Sequence, residues 1–149
     1  MSTGRTPDPE PLPGFPVRGS ERLYDSPWVG LRRDALELPD GSRQDYHVVE
    51  ICDAVVVVPL CDDGQLVMIW QHRHPHGGSH WEVTAGRVGE GERAEDAALR
   101  ELREETGFVP RQIERITGFY PVNGISAHYG HIFVARGCTP AGATETEIT

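Results

Sequence analysis

Between Glu21 and Ala135 the apolar residues fall into short runs broken by turn residues, a pattern that predicts many strands and one well-marked helix. Residues 22–24, 28–31 and 35–38 read as short strands, Pro39-Asp40-Gly41-Ser42 carries turn chemistry, and residues 46–51 follow as the return strand. The result is an N-terminal antiparallel strand meander. Ala54–Leu60 and residues 65–70 are the most apolar runs, joined by the turn Asp62-Asp63-Gly64. Their near-continuous apolarity predicts central strands covered on both faces. Residues 113–120 and 131–135 add two more strands. Residues 93–106 contain neither Gly nor Pro and are rich in Ala, Leu, Glu and Arg, which predicts a helix stopped by a left-handed Gly107. The expected class is α/β, of the α+β kind: a mixed β-sheet sandwiched between helices, with the acidic helix on one side.

Composition narrows the partners. The 149 residues carry a net charge of −9, with three cysteines, Cys52, Cys61 and Cys138. That balance argues against nucleic acid and against an anionic membrane surface, while a phosphate-bearing small molecule stays compatible because a bound cation reverses the field locally. An odd cysteine count without paired metal spacing predicts reduced thiols, hence a cytoplasmic protein, and no apolar run is long enough to span a bilayer. Residues 1–19, with prolines at positions 7, 9, 11, 13 and 16, read as an extended or disordered tail. Residues 20–149 are expected to form one domain.

The chemistry concentrates in residues 86–108. Gly86, Gly89 and Gly91 open a segment that reads as a turn, where backbone amides can approach phosphates. On the following helix Glu101, Glu104 and Glu105 stand at i, i+3 and i+4, three carboxylates on one face. Their mutual repulsion calls for a cation. Hard oxygen donors select Mg²⁺ or Mn²⁺. Arg100 is placed to hold Glu104 and to reach Glu92.

Gly86, Glu92, Arg100, Glu101, Leu102, Glu104, Glu105, Gly107 and Phe108 fill every fixed position of the Nudix box, which this stretch resembles. The resemblance implies a Nudix fold and a hydrolase that cleaves the diphosphate of a nucleoside diphosphate linked to another moiety into two monophosphates. It implies metal on Glu101 and Glu105 with the Ala85 carbonyl, and Glu104 binding metal or positioning water. Arg100 then fixes the carboxylates and Glu92 holds Arg100. The lead-in Glu82-Val-Thr-Ala85 is similar to that of ADP-ribose and nucleotide-sugar pyrophosphatases, for which the family suggests a homodimer joined through the N-terminal sheet.

Departures from that branch are Asn123, where a proline is usual, and Ala127-His128, where an acidic residue is usual. His128 is the candidate replacement base, against the plainer reading of a satisfied loop histidine. The family's C-terminal strand and helix are expected to be absent, leaving Glu145 or Glu147 as candidate extra carboxylates. Two other activities share the motif: nucleoside triphosphate pyrophosphohydrolysis, and nucleotide binding with weak catalysis.

Upstream, His72, His74, His76 and His80 invite a metal site, which Pro75 and Gly77-Gly78 disfavour by breaking the strand. Arg73 either contacts the diphosphate or serves a structural role. Glu82 either orients the substrate or pairs with Arg73.

Overall fold

The computed structural model of the protein describes residues 10–142, so Glu145, Glu147 and the first nine residues of the proline-rich tail lie outside the described residues. The strands are β1 (Val17–Asp25), β2 (Gly30–Glu37), β3 (Arg43–Glu50), β4 (Ala54–Leu60), β5 (Ile69–Arg73), β6 (Gly78–Glu82), β7 (Thr84–Arg87), β8 (Phe108–Val109), β9 (Gln112–Phe119), β10 (Gly130–Arg136) and β11 (Thr139–Pro140). One α-helix, α1 (Ala94–Thr106), is found among the described residues. Contacts divide the chain into two compact units after Val48, where the sequence suggested one domain from residue 20.

The first unit is the expected meander, a three-stranded sheet in the order β1-β2-β3. β1 begins at Val17, three residues inside the expected tail, and Arg18 at its start pairs with Glu37 at 2.8 Å. The two runs at 28–31 and 35–38 contribute to a single strand, β2, with Trp28 left outside it. The intervening Arg32-Arg33-Asp34 does not interrupt the ladder because its charges are satisfied on the sheet: Asp34 accepts from Ser20 Oγ and Arg32 Nε, and Arg33 pairs with Glu21. Polarity alone had read as a break.

The second unit holds a four-stranded mixed sheet in the order β7-β4-β10-β9, with β4 and β10 parallel and the other pairs antiparallel. β4 is central, as expected. Its Val55 and Val57 alternate inward and meet Phe133 and Ala135 of β10 together with Ala97, Ala98 and Leu102 of α1. Fully burying a side chain such as Leu102 stabilises the fold by about 1.5–3 kcal/mol. The helix starts at an extended Arg93, carries Glu95 and Asp96 in its first turn where they favour the dipole, and stops at Gly107 with φ 71°.

Residues 65–70 are not a central strand. Leu66 makes a bridge to Leu60, and the chain then leaves the sheet to form β5, which pairs only with β6. Trp70 and Trp81 remain 60% and 63% exposed, with their rings 5.3 Å apart, so the apolar run reflects this hairpin and not a buried strand. Gly86 and Arg87 also differ from expectation, since they end β7 where a turn was predicted. Of the three glycines of the motif loop, Gly91 alone has a positive φ, at 71°. The helix covers one face of the sheet, and a second helical layer is not among the described residues. The short β11, unforeseen after Ala135, pairs with β8.

Candidate active site

The site is built where α1 crosses β7. Ala97, Ala98 and Leu102 are fully buried and fix the rotation of the helix, which brings Glu101 and Glu105 along the edge of the buried stripe toward the strand. Glu101 lies against Gly86, and Glu105 accepts the Ala85 amide at 3.3 Å. Two carboxylates one helical turn apart therefore sit over two consecutive strand residues, at positions anchored by the register of Ala85 opposite Val56 and Gly86 opposite Val55.

Arg100 gathers the acids. Its Nη1 donates to Glu101 at 2.7 Å and to Glu104 at 3.1 Å, while Nε and Nη2 grip both oxygens of Glu92 at 2.9 and 3.0 Å. Nη2 also reaches the Arg87 carbonyl at 3.0 Å, a contact with no sequence signal because it is made to backbone. Glu92 accepts the Gly89 amide at 2.8 Å as well. These charge-assisted bonds, from Arg100 first and then Gly89, hold the Glu92 carboxyl at a pKa of about 2 and push the Arg100 guanidinium up. Both contacts expected of Arg100 are present.

Glu105 behaves in the opposite way. Burial raises its pKa, the neighbouring Glu101 and Glu82 charges add to the effect, and the Ala85 amide and Arg73 oppose it. Glu101 is largely covered, with its side chain 14% exposed, whereas Glu104 is 59% exposed. Among the described residues no three His, Cys, Asp or Glu side chains form a ready metal cage. The donor set nonetheless suits a hard dication, since of the three carboxylates on one face Glu101 and Glu104 share one guanidinium, and the charge on Glu105 is disfavoured where a cation would relieve it.

Arg73 and Glu82 stand at opposite ends of the β5–β6 ladder, Arg73 opposite Gly78 and Glu82 opposite Ile69, and their side chains form a forked pair, with Nη2 to Oε2 at 2.6 Å and Nε to both oxygens at 3.0–3.1 Å. Arg73 holds the Glu82 carboxyl below its usual range, and both charges act on Glu105, Glu82 raising its pKa and Arg73 lowering it. His74 and His76 lie in a short 3₁₀ turn, His76 packs its ring on His80 at 4.8 Å, and His72 Nδ1 lies 3.3 Å from Ser79 Oγ. His128 is anchored by a 2.6 Å bond between Nδ1 and the Cys52 carbonyl, and its amide donates to Ser126 Oγ.

Comparison with known proteins gives the family and the fold. The family model of the NUDIX domain matches residues 51–147, and that of the nucleoside diphosphate sugar hydrolase N-terminal domain matches residues 16–49. An ADP-ribose pyrophosphatase of Bacillus subtilis is 34% identical over 116 residues, which are 78% of this chain and 63% of that protein. A methanol dehydrogenase activator of Bacillus methanolicus is 33% identical over 87% of this chain and 72% of its own length. The chain thus spans a little under two thirds of the first relative. A crystal structure of an ADP compounds hydrolase superposes with a TM-score of 0.78 over 95% of this chain and 77% of that one, at 23% identity, a likeness of fold. With an unbroken box on a matching strand and helix, and a domain model covering its second unit, the chain belongs to the Nudix family.

Proposed function

We propose that the protein is a metal-dependent hydrolase that cleaves the diphosphate of a nucleoside diphosphate derivative, ADP-ribose or a nucleotide sugar, into two monophosphates. The observation that carries this reading is the pressing of Glu101 and Glu105 onto the Ala85–Gly86 strand with Arg100 tying Glu101 and Glu104 together. The match of residues 16–49 to a nucleoside diphosphate sugar hydrolase N-terminal domain, and the name ADP-ribose pyrophosphatase borne by a relative, support the substrate class.

Glu101, Glu105 and the Ala85 carbonyl would hold Mg²⁺, or Mn²⁺, with Glu104 as a further donor. When bound, such an ion neutralises diphosphate oxygens and acidifies a water. Glu104, the most exposed of the three acids, would orient a water or take its proton, a role its access to solvent supports. Arg100 keeps the carboxylates in their rotamers, and Glu92 keeps Arg100 in place. Arg73, freed from or shared with its partner Glu82, would contact the anionic substrate.

A homodimer and a cytoplasmic setting belong to the same reading. The first is supported by β1, exposed along its whole length in the N-terminal sheet, and the second by three cysteines that are all unpaired thiols.

The test is turnover of ADP-ribose, nucleotide sugars, dinucleotides and nucleoside triphosphates with and without Mg²⁺. Preferential Mg²⁺-dependent release of AMP or another nucleoside monophosphate from the first two groups supports the proposal. Preference for triphosphates, or ligand-induced thermal stabilisation without turnover, rejects it.

A further inference from the structure

The parallel pair β4 and β10 stays in register from Ala54 opposite Gly130 to Leu60 opposite Arg136. One residue later the register changes. Gly137 adopts φ 64°, and the Cys138 amide donates to the Leu60 carbonyl at 3.0 Å. In a parallel ladder an amide that bonds the carbonyl of one residue stands beside the next residue of that strand, so Cys138 lies opposite Cys61. Adjacent strands are about 4.7–4.9 Å apart, and a disulfide spans Cα separations of about 4.4–6.8 Å.

The side chains face the same way. Along β4 the buried positions are Val55, Val57 and Pro59, and Cys61 follows in that alternation. It packs against the core cluster to which Cys138 belongs. Without the extra residue at Gly137, position 138 would fall on the opposite face of β10 from Phe133 and Ala135. Burial and then the Cys61 sulfur disfavour the Cys138 thiolate.

We propose that Cys61 and Cys138 form a cross-strand dithiol that a peroxide converts into a disulfide. Cys61 is part-exposed and meets the oxidant first, whereas Cys138 is 3% exposed with its Sγ donating to the Ala135 carbonyl at 3.4 Å. The Cys61 thiolate attacks one peroxide oxygen, the O–O bond breaks, and a sulfenic acid and one water result after protonation. The Cys138 sulfur then attacks the Cys61 sulfur, the S–O bond breaks, its proton leaves with the hydroxide as a second water, and the S–S bond forms. Two thiols are oxidised and one peroxide is reduced to two waters.

The link has a structural consequence. Cys138 leads directly into β11, which pairs with β8 next to the Gly107 helix stop, and the Ala141 amide donates to the Gly107 carbonyl at 2.7 Å. A disulfide would pin the end of β4 to the segment that braces the C-terminal end of α1. Cys52 takes no part, since the full length of β4 separates it from Cys61 and its sulfur accepts from Arg87 Nε at 2.8 Å.

The experiment treats the folded Cys52→Ser protein with hydrogen peroxide and maps it by mass spectrometry without reduction. The expected result is loss of two hydrogens and of both free thiols, with the tryptic peptide beginning at Gln44 joined to the one beginning at Gly137, reversal by dithiothreitol, and a higher Tm for the oxidised form. Cys61→Ser or Cys138→Ser in the same background should give no intramolecular link. Two thiols still reactive after peroxide and unfolding, separate sulfinic acids, or links only between molecules overturn the proposal. Circular dichroism of each protein before treatment establishes that the folded state was tested.

Discussion

Gly86 approaches the Glu101 carboxyl so closely that a Cβ on Gly86 would lie 1.9 Å from its Cδ. The atoms in the way are the far end of a flexible side chain, not backbone, so the fold can yield where the site cannot. Gly86→Ala is expected to change stability by less than about 1 kcal/mol, because Glu101 swings aside. Mg²⁺-dependent turnover should fall about 100-fold as Glu101 leaves its place. Thermal melts beside kinetics check this; retained turnover would show that the position of Glu101 does not matter.

Glu105 links stability to the proposed chemistry. Its folded pKa is raised, so the stability it contributes is complete below its ordinary carboxylate range and is lost as pH rises through the folded value. In metal-free protein at pH 7, Glu105→Gln should therefore raise Tm, and the gain should vanish in acid. The same substitution should abolish Mg²⁺-dependent turnover. A lowered Tm at neutral pH would contradict the assignment of burial as the dominant cause.

Glu92 predicts the reverse slope. Its pKa of about 2 means that its contribution is present above its ordinary value near 4.5 and is lost as pH falls from there toward 2. Wild type should melt above Glu92→Gln at pH 7, and the two curves should converge in strong acid. Parallel melting series across that window decide the matter.

Leu102 tests the packing that aims the acids. Its side chain is fully buried between helix and sheet, so Leu102→Ala should cost about 2–5 kcal/mol in urea unfolding. Because the neighbouring Glu101 relies on the same helix placement, turnover per folded molecule should fall as well. A loss below about 1 kcal/mol would mean that the helix is held chiefly elsewhere.

Arg73 and Glu82 show how far a sequence reading reaches. Their residue types and nearness to the box suggested a role in the site, but a substrate contact and an internal ion pair were equally consistent with the chain. The β5–β6 register, which sets Arg73 opposite Gly78 and Ile69 opposite Glu82, lets the long Arg73 side chain reach back to Glu82. That choice depends on a hairpin that the apolar run at 65–70 had disguised as a central strand.

The features legible in the chain alone are local. Helix α1 with its Gly107 stop, strand β4, the acids at i, i+3 and i+4, and the reach of Arg100 to Glu104 all follow from spacing along one chain segment. Three features emerge only from the folded chain: Gly86 extends β7, the charged middle of β2 stays within a sheet, and Cys138 comes to stand opposite Cys61. These are matters of register between segments far apart in sequence. Strand pairing there is set by which side chains fit across the gap, information that no single segment carries.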